Sequence, residues 1–413
     1  MFKINKIIIR SMLCSLLFLI FSGCNDPVFY EVSTQVKSPL PTIKGSPTDF
    51  ASIKQGDGEQ EFEVVYVASG SAIHIYYENS DNQWIWARTD PSLGRITYLA
   101  ATDTKLFILT PSGVHVSTPA GEPNTANHLN FSTPITSSEY RFITMYSANN
   151  EIFSGVINNT GTSYSIFNIT SSTAEEVTGT NNGHGLLNGV AFNGSSYYFS
   201  VKDQVLRNAG GIYKGTTSDA DLIEDDSGNN YSIPFMGIIS IENNVIAIAR
   251  SGVLYDADTL ETLKNPNTGS NISTGRTSNG VLSIVKSYDG EKWDGARLLL
   301  AGRQDALTYD VYSGYTYGYL EIELEGDNIK LDGAFREPGI TGSTVANVPS
   351  TLQRDRGSND TFRTTIGTYA LRFIFQANDD NKTIFASTHQ NGVWSLRHQN
   401  DRSKNYPYWN TEH

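Results

Sequence analysis

The chain has 413 residues, of which 38% are hydrophobic and 18% charged, with 36 Gly, 22 Tyr and 19 Phe. β-branched and aromatic residues suit a pleated surface and Gly, Asn and Asp supply tight turns, so this composition excludes a helical bundle or coiled coil. Lys and Arg number 30 against 43 Asp and Glu, a formal net charge of −13 with no extended basic stripe, which argues against nucleic-acid binding by phosphate neutralisation.

The chain opens with Lys3, Lys6 and Arg10, then an apolar run over residues 12–21, then Ser22 and Gly23 ahead of Cys24. A positive segment, a short apolar segment and small residues are the pattern of an export signal, and the run is too short to stay as a spanning helix. Phe21-Ser22-Gly23-Cys24 resembles the lipobox of bacterial lipoproteins, with Phe21 where Leu is usual. The resemblance implies that the Cys24 thiol takes a diacylglyceryl group, that residues 1–23 are removed, and that the acylated mature chain begins at Cys24. The other cysteine, Cys14, lies in the removed run, so no intramolecular disulfide remains in the mature chain. Loss of three cations shifts the formal charge from −13 to −16. Acyl chains contributing about 0.8 kcal/mol per buried CH₂ make a firm anchor. Asn25, in place of the Asp that often marks inner-membrane retention, favours an outer-membrane address in the cell envelope, facing either the periplasm or the exterior.

Residues 24–47 carry Pro27, Pro39, Pro41 and Pro47 among Ser, Thr and Lys, and read as a tether, within which residues 28–34 have strand character. Beyond it one pattern recurs: an apolar strand, a turn of Asn, Asp or Gly, a second apolar strand, then often Gly and a third strand. The clearest copies span residues 96–116, 238–255 and 371–394. First-strand anchors fall at Phe50, Ile96, Phe142, Val190, Ile238, Leu282 and Leu371, so six of the seven units are 44 to 48 residues long or close to it, and one interval is 89. The first copy has four strands, over residues 50–54, 61–68, 72–78 and 83–88.

A period of 40 to 50 residues with four short strands per unit is the pattern of a β-propeller blade. The expectation is an all-β fold over residues 48–413: a seven-bladed β-propeller of four-stranded antiparallel blades. A β-sandwich array does not predict such even spacing. The long interval reads as an insertion in the sixth blade around residues 336–367, ahead of an eighth blade. Ring closure by strands from both chain ends has two candidates, residues 28–34 and Tyr408-Trp409.

Residues 287–293 (Ser-Tyr-Asp-Gly-Glu-Lys-Trp) resemble the Asp-box of sialidase-type propellers, and residues 80–84 (Ser-Asp-Asn-Gln-Trp) do so more faintly. In that family the box braces the turn between third and fourth strands and is structural. A sialidase-like, glycan-processing site needs an arginine triad, a Tyr–Glu nucleophile and an Asp acid/base. The family's opening Phe/Tyr-Arg-Ile-Pro motif is absent here, and Phe335-Arg336-Glu337-Pro338 is its nearest fragment.

The seven His residues lack metal-ligand spacing, no Cys pair survives maturation, and Asp225-Asp226 and Asp379-Asp380 lack the alternation of a calcium loop, so no metal and no cofactor is expected. No Gly-x-Ser-x-Gly elbow or phosphate loop occurs. Tyr309, Tyr312, Tyr315, Tyr317 and Tyr319 crowd one stretch beside Arg336, Arg354, Arg356 and Arg363. On a strand, Tyr315, Tyr317 and Tyr319 share one face, which makes this group the candidate binding surface, and inter-blade packing is its structural alternative. The reading is a lipid-anchored, non-catalytic binding or scaffolding module. Its partners are the membrane through Cys24 and envelope proteins or glycans. A sialidase-like enzyme is the rival.

Overall fold

The structure, a computed structural model, describes residue 43 and residues 47–55, 62–125, 127–180, 185–202, 210–224, 233–241 and 244–264. It also describes 269, 271, 282–286, 296–301, 319–325, 328–329, 371–377, 383–388, 392–397 and 408–411. The described residues contain strands and turns and no helix.

The first sheet joins β1 (Pro47–Gln55), β2 (Phe62–Ser69), β3 (Ala72–Glu78) and β4 (Trp84–Thr89) in chain order, every pair antiparallel. The same meander repeats along the chain. The second sheet is β5 (Tyr98–Ala101), β6 (Leu106–Thr110) and β7 (Gly113–Ser117). The third is β8 (Tyr140–Ala148), β9 (Glu151–Asn158), β10 (Tyr164–Ile169) and β11 (Ala174–Glu176). The fourth is β12 (Leu186–Phe192), β13 (Tyr197–Lys202), β14 (Gly210–Gly215) and β15 (Ala220–Leu222), and the fifth is β16 (Phe235–Ile241), β17 (Asn244–Ala249) and β18 (Leu254–Asp256). The sixth is β19 (Leu282–Lys286), β20 (Ala296–Ala301), β21 (Tyr319–Glu325) and β22 (Asn328–Ile329). The last comprises β23 (Leu371–Gln376), β24 (Ile384–Thr388), β25 (Val393–Arg397) and β26 (Tyr408–Thr411).

Two sheets have three named strands, and in both the fourth place is taken by chain that bonds less regularly. Beside β7, Ile135 N donates to Val114 O and Ser132 N to Val116 O; beside β18, Leu263 N donates to Leu254 O. The expected four-ply unit is therefore present, loosened at its outer edge.

First strands neighbour one another in a cycle: β1 lies against β5, β5 against β8, β8 against β12, β12 against β16, β16 against β19, β19 against β23, and β23 against β1. This is the arrangement of a β-propeller. It follows from apolar residues on both faces of the sheets whose side chains are described. On β2, Val64, Tyr66 and Ala68 pack with the second sheet while Val65 and Val67 pack with the last, so the period of two splits one apolar run between two interfaces. Successive interfaces repeat the scheme, Phe107 with Val156, Phe153 with Phe199, and Tyr198 with Phe235 sharing clusters.

The closing interface is aromatic. Phe50 stacks on Phe375 at 4.3 Å, Phe375 on Phe385 at 5.2 Å, and Tyr76 and Trp86 meet Phe385 edge-on. Of the two candidates for an outer strand at the chain ends, Tyr408-Trp409 lies in β26, the outer strand of the last sheet. Among the described residues both terminal sheets are built from continuous chain, not completed from both termini as ring closure was expected to require. Residues 28–34 lie outside the described residues. Ile43, fully buried in the closing cluster, carries the packing back into the stretch read as tether.

Residues 80–84 form the turn between β3 and β4, the place an Asp-box occupies. Here the turn is closed by Asn79, whose Oδ1 accepts from Asp81 N and Gln83 N, with Asn82 at φ 55°. Trp84 packs on Tyr76 at 5.1 Å. Residues 287–293 lie outside the described residues, as does the stretch 336–367.

Candidate functional site

The first strands line the inner ring, and their hydrogen-bonding irregularities shape it. β1, β8, β12 and β16 each carry one extra residue relative to their partner strand, at Thr48, Ile143, Asn188 and Met236. Such bulges bend a strand and re-aim its side chains. Two of these residues reach toward the next sheet: Thr48 Oγ1 donates to Ile96 O, just ahead of β5, at 3.2 Å, and Asn188 Nδ2 to Phe235 O on β16 at 3.0 Å. Ile143 is 37% exposed, the most exposed large apolar residue described.

Directly after the first bulge comes Asp49. Its Oδ1 accepts from Phe50 N and its Oδ2 from Leu99 N on β5, each at 2.9 Å. Tyr98 on β5 and Tyr146 on β8 meet with ring centres 5.8 Å apart and planes at 65°, and are hydrogen-bonded to each other. Three consecutive first strands therefore bring one carboxyl and two phenols together, and all three residues keep some accessible surface. Desolvation pushes the Asp49 carboxyl up to about 7 despite its two backbone donors. Burial, Tyr98 and the Asp49 charge together push the Tyr146 phenol well above its ordinary value.

Other polar groups clasp the sheets. Tyr66 Oη bonds His128 Nε2 at 2.9 Å while His128 Nδ1 faces the carbonyls of Ala120 and Gly121, which fixes the proton on Nδ1 and pins that loop to β2. Burial lowers the affinity of His128 for a second proton. Ser112 Oγ lies 3.0 Å from His115 Nε2, and His115 Nδ1 lies 3.3 Å from Ser132 O. That is the spacing of a nucleophile and its base. Ser112 N also donates to Thr110 Oγ1 in the β6–β7 turn, so the group closes the turn. Tyr198 Oη donates to Asp258 at 2.7 Å under the Lys214 ammonium, joining the fourth and fifth sheets. His74 is buried with Nδ1 lacking a described partner; burial first, and Arg88 second, push it down to about 4.

Of the residues singled out from the sequence, one is among the described residues. Tyr319 is the first residue of β21 and pairs with Ala301. Cys24, Tyr309, Tyr312, Tyr315, Tyr317, Arg336, Arg354, Arg356 and Arg363 lie outside the described residues. Among the described residues no group of three His, Cys, Asp or Glu gathers as a metal site. Asp49 escaped the motif search because its partners, Leu99 and Tyr146, are about 50 and 100 positions away. The one local signal is a carboxyl immediately before the Phe50 anchor of a buried strand.

No family model matches the chain, and no curated protein matches it. Among solved structures it is similar to the WD40 β-propeller domain of Doa1, at 11% identity over 88% of this chain and 96% of that one, TM-score 0.45. It is also similar to Saccharomyces cerevisiae Sqt1, at 10% identity over 91% and 87%, TM-score 0.45. Virginiamycin B lyase from Staphylococcus aureus matches at 11% identity over 84% and 94%, TM-score 0.46. The propeller assignment rests on the cycle of first strands in the chain itself.

Proposed function

We propose that the mature chain is a lipid-anchored protein of the bacterial cell envelope whose seven-bladed β-propeller is a non-catalytic binding or scaffolding module. The observation that supports the binding reading is the cycle of first strands among the described residues, a frame that holds partly exposed polar groups such as Asp49, Tyr98 and Tyr146 in fixed relation. The anchor reading rests on Phe21-Ser22-Gly23-Cys24, with Cys24 the sole cysteine of the mature chain. Residues 336–367 are the insertion of the sixth blade in this reading. With Tyr309 to Tyr319 they offer envelope proteins or glycans a recognition edge.

Three measurements test it. Cys24→Ala moves the protein from the membrane to the soluble fraction, and retention in the membrane overturns the anchor. Affinity capture of the tagged, lipidated protein from gently crosslinked cells recovers a reproducible set of envelope proteins. Turnover of a sialoside by the purified protein overturns the non-catalytic reading.

A further inference from the structure

We propose that the corner formed by Asp49, Tyr98 and Tyr146 on the inner ring receives one alkylammonium group, the side-chain head of a lysine on a bound protein. The inference rests on the binding-module reading and names the chemistry that one of its sites selects.

Three observations carry it. First, the Asp49 carboxylate has no ion-pair partner among the described residues, and its bonded neighbours are two backbone N–H groups. A carboxylate offers about four lone-pair positions, so roughly two stay open. An anion in desolvating surroundings is costly until a cation meets it. Second, the two phenol rings stand at 65° with centres 5.8 Å apart, and Tyr146 lies close enough to Asp49 to feel its charge. Aromatic faces attract cations through their quadrupole, most strongly where water is thin. Third, Asp49, Tyr98 and Tyr146 are each half-buried, whereas the Tyr66–His128 pair is sealed.

The charge selects cations and disfavours anions. Each Asp49 oxygen accepts one backbone N–H and keeps one lone pair for a cationic donor. A compact ammonium with three donors fits one oxygen and leaves the methylene stem against the rings. The formal charge of −13 gathers cations and repels phosphate or carboxylate ligands.

The test titrates the full mature chain with butylammonium and, separately, with the neutral isostere 1-pentanol, following tyrosine fluorescence and heat. Butylammonium binds at pH 8 and pentanol does not. Because the ammonium selects the ionised carboxyl, affinity falls about tenfold per pH unit below about 7. Asp49→Asn abolishes the binding. Tyr98→Leu weakens it roughly 3- to 30-fold, the range of an aromatic–cation contact, and Tyr98→Phe retains it. Equal response to pentanol, binding that survives Asp49→Asn, or no saturation at pH 8 overturns the proposal. Should Asp49→Asn fail to fold, the pH series on the unaltered protein decides alone. Nα-acetyl-lysine amide binding at least as well as butylammonium supports the lysine source, and glucosamine binding more tightly than both overturns it in favour of a free amine. Failure of butylammonium with success of partner capture removes this site alone and leaves the binding module standing.

Discussion

Thr144 on β8 and Leu187 on β12 are joined by a 2.9 Å hydrogen bond from the Thr144 hydroxyl to the Leu187 carbonyl, across the boundary between the third and fourth sheets. Thr144 in turn accepts a 2.6 Å bond from Ser154 Oγ through its own carbonyl, so the bulge at Ile143 is held from both sides. Gly155 makes this approach possible. A Cβ there would stand 2.6 Å from Thr144 Oγ1 and 2.7 Å from Leu187 Cβ. Gly155→Ala is therefore expected to destabilise by about 1–3 kcal/mol through overpacking. Thr144→Val, which leaves the Leu187 carbonyl without that donor, costs about 1 kcal/mol or somewhat more. Urea unfolding of both variants checks the pair, and an unchanged midpoint for Gly155→Ala refutes the close approach.

These contacts mark where sequence reading ends. The anchors at Phe50, Phe142, Val190, Ile238, Leu282 and Leu371 all fall in first strands, because alternating apolar residues and Gly or Asn turns are local signals. Ile96 falls just before its strand, which begins at Tyr98. What joins one sheet to the next is not local. The Thr48 bond to Ile96 spans 48 positions and the Asn188 bond to Phe235 spans 47, one repeat each, so the period marks which segments adjoin while nothing local marks which atoms bond. The inner-ring corner has the same origin: Asp49, Tyr98 and Tyr146 are each unremarkable in their own segment and gain meaning only when consecutive first strands come together. Which sheet would receive Tyr408-Trp409 was illegible for a related reason, since its strand character is the same in any of them.

The third and fourth sheets are also linked at their outer edges. Thr178 N donates to Ser218 O and Ala220 N to Thr178 O, a parallel bridge that depends on Gly179 at φ +84°. A Cβ on Gly179 would lie 2.3 Å from Ala220 O, and an L side chain resists that backbone conformation in any case. Gly179→Ala should lose about 2–3 kcal/mol and release the edge. Hydrogen exchange is the direct check: the amide of Ala220 should lose protection in the variant while that of Phe199 keeps it.

The aromatic seam is the expected weak point of ring closure, since no covalent or shared-strand link reinforces it among the described residues. Phe385 touches Tyr76, Trp86 and Phe375 at once. Truncation to Ala removes all three contacts and leaves a cavity, for an expected loss of about 3–5 kcal/mol. Phe385→Leu should lose less. If the seam closes the ring, protease sensitivity in Phe385→Ala appears first in the first and last sheets, and uniform sensitivity across the chain contradicts that role.

Asp49 and His74, both in the first sheet, give the stability of the ring opposite pH dependences. Asp49 is raised from 3.8 to about 7, so between those values the folded chain holds a proton that the unfolded chain has released. Its contribution is fully present below about pH 4 and is lost as pH rises through about 7. His74 is lowered from 6.5 to about 4, so in that window the unfolded chain binds the extra proton. Its contribution is present above about pH 6.5 and is lost as pH falls through about 4. In the unaltered protein the two slopes oppose each other between pH 4 and 6.5, and the Asp49 slope stands alone from there to about 7. Single variants separate them. Asp49→Asn leaves a curve that climbs from pH 4 to 6.5 and then flattens. His74→Leu leaves one that climbs less or falls more steeply below pH 6.5 than that of the unaltered protein, and it is close to neutral in stability at pH 7, since it replaces a buried imidazole whose Nδ1 has no described partner. Urea midpoints at half-unit intervals from pH 4 to 8 supply the comparison, and an Asp49→Asn curve parallel to that of the unaltered protein would show that this carboxyl does not titrate near neutrality.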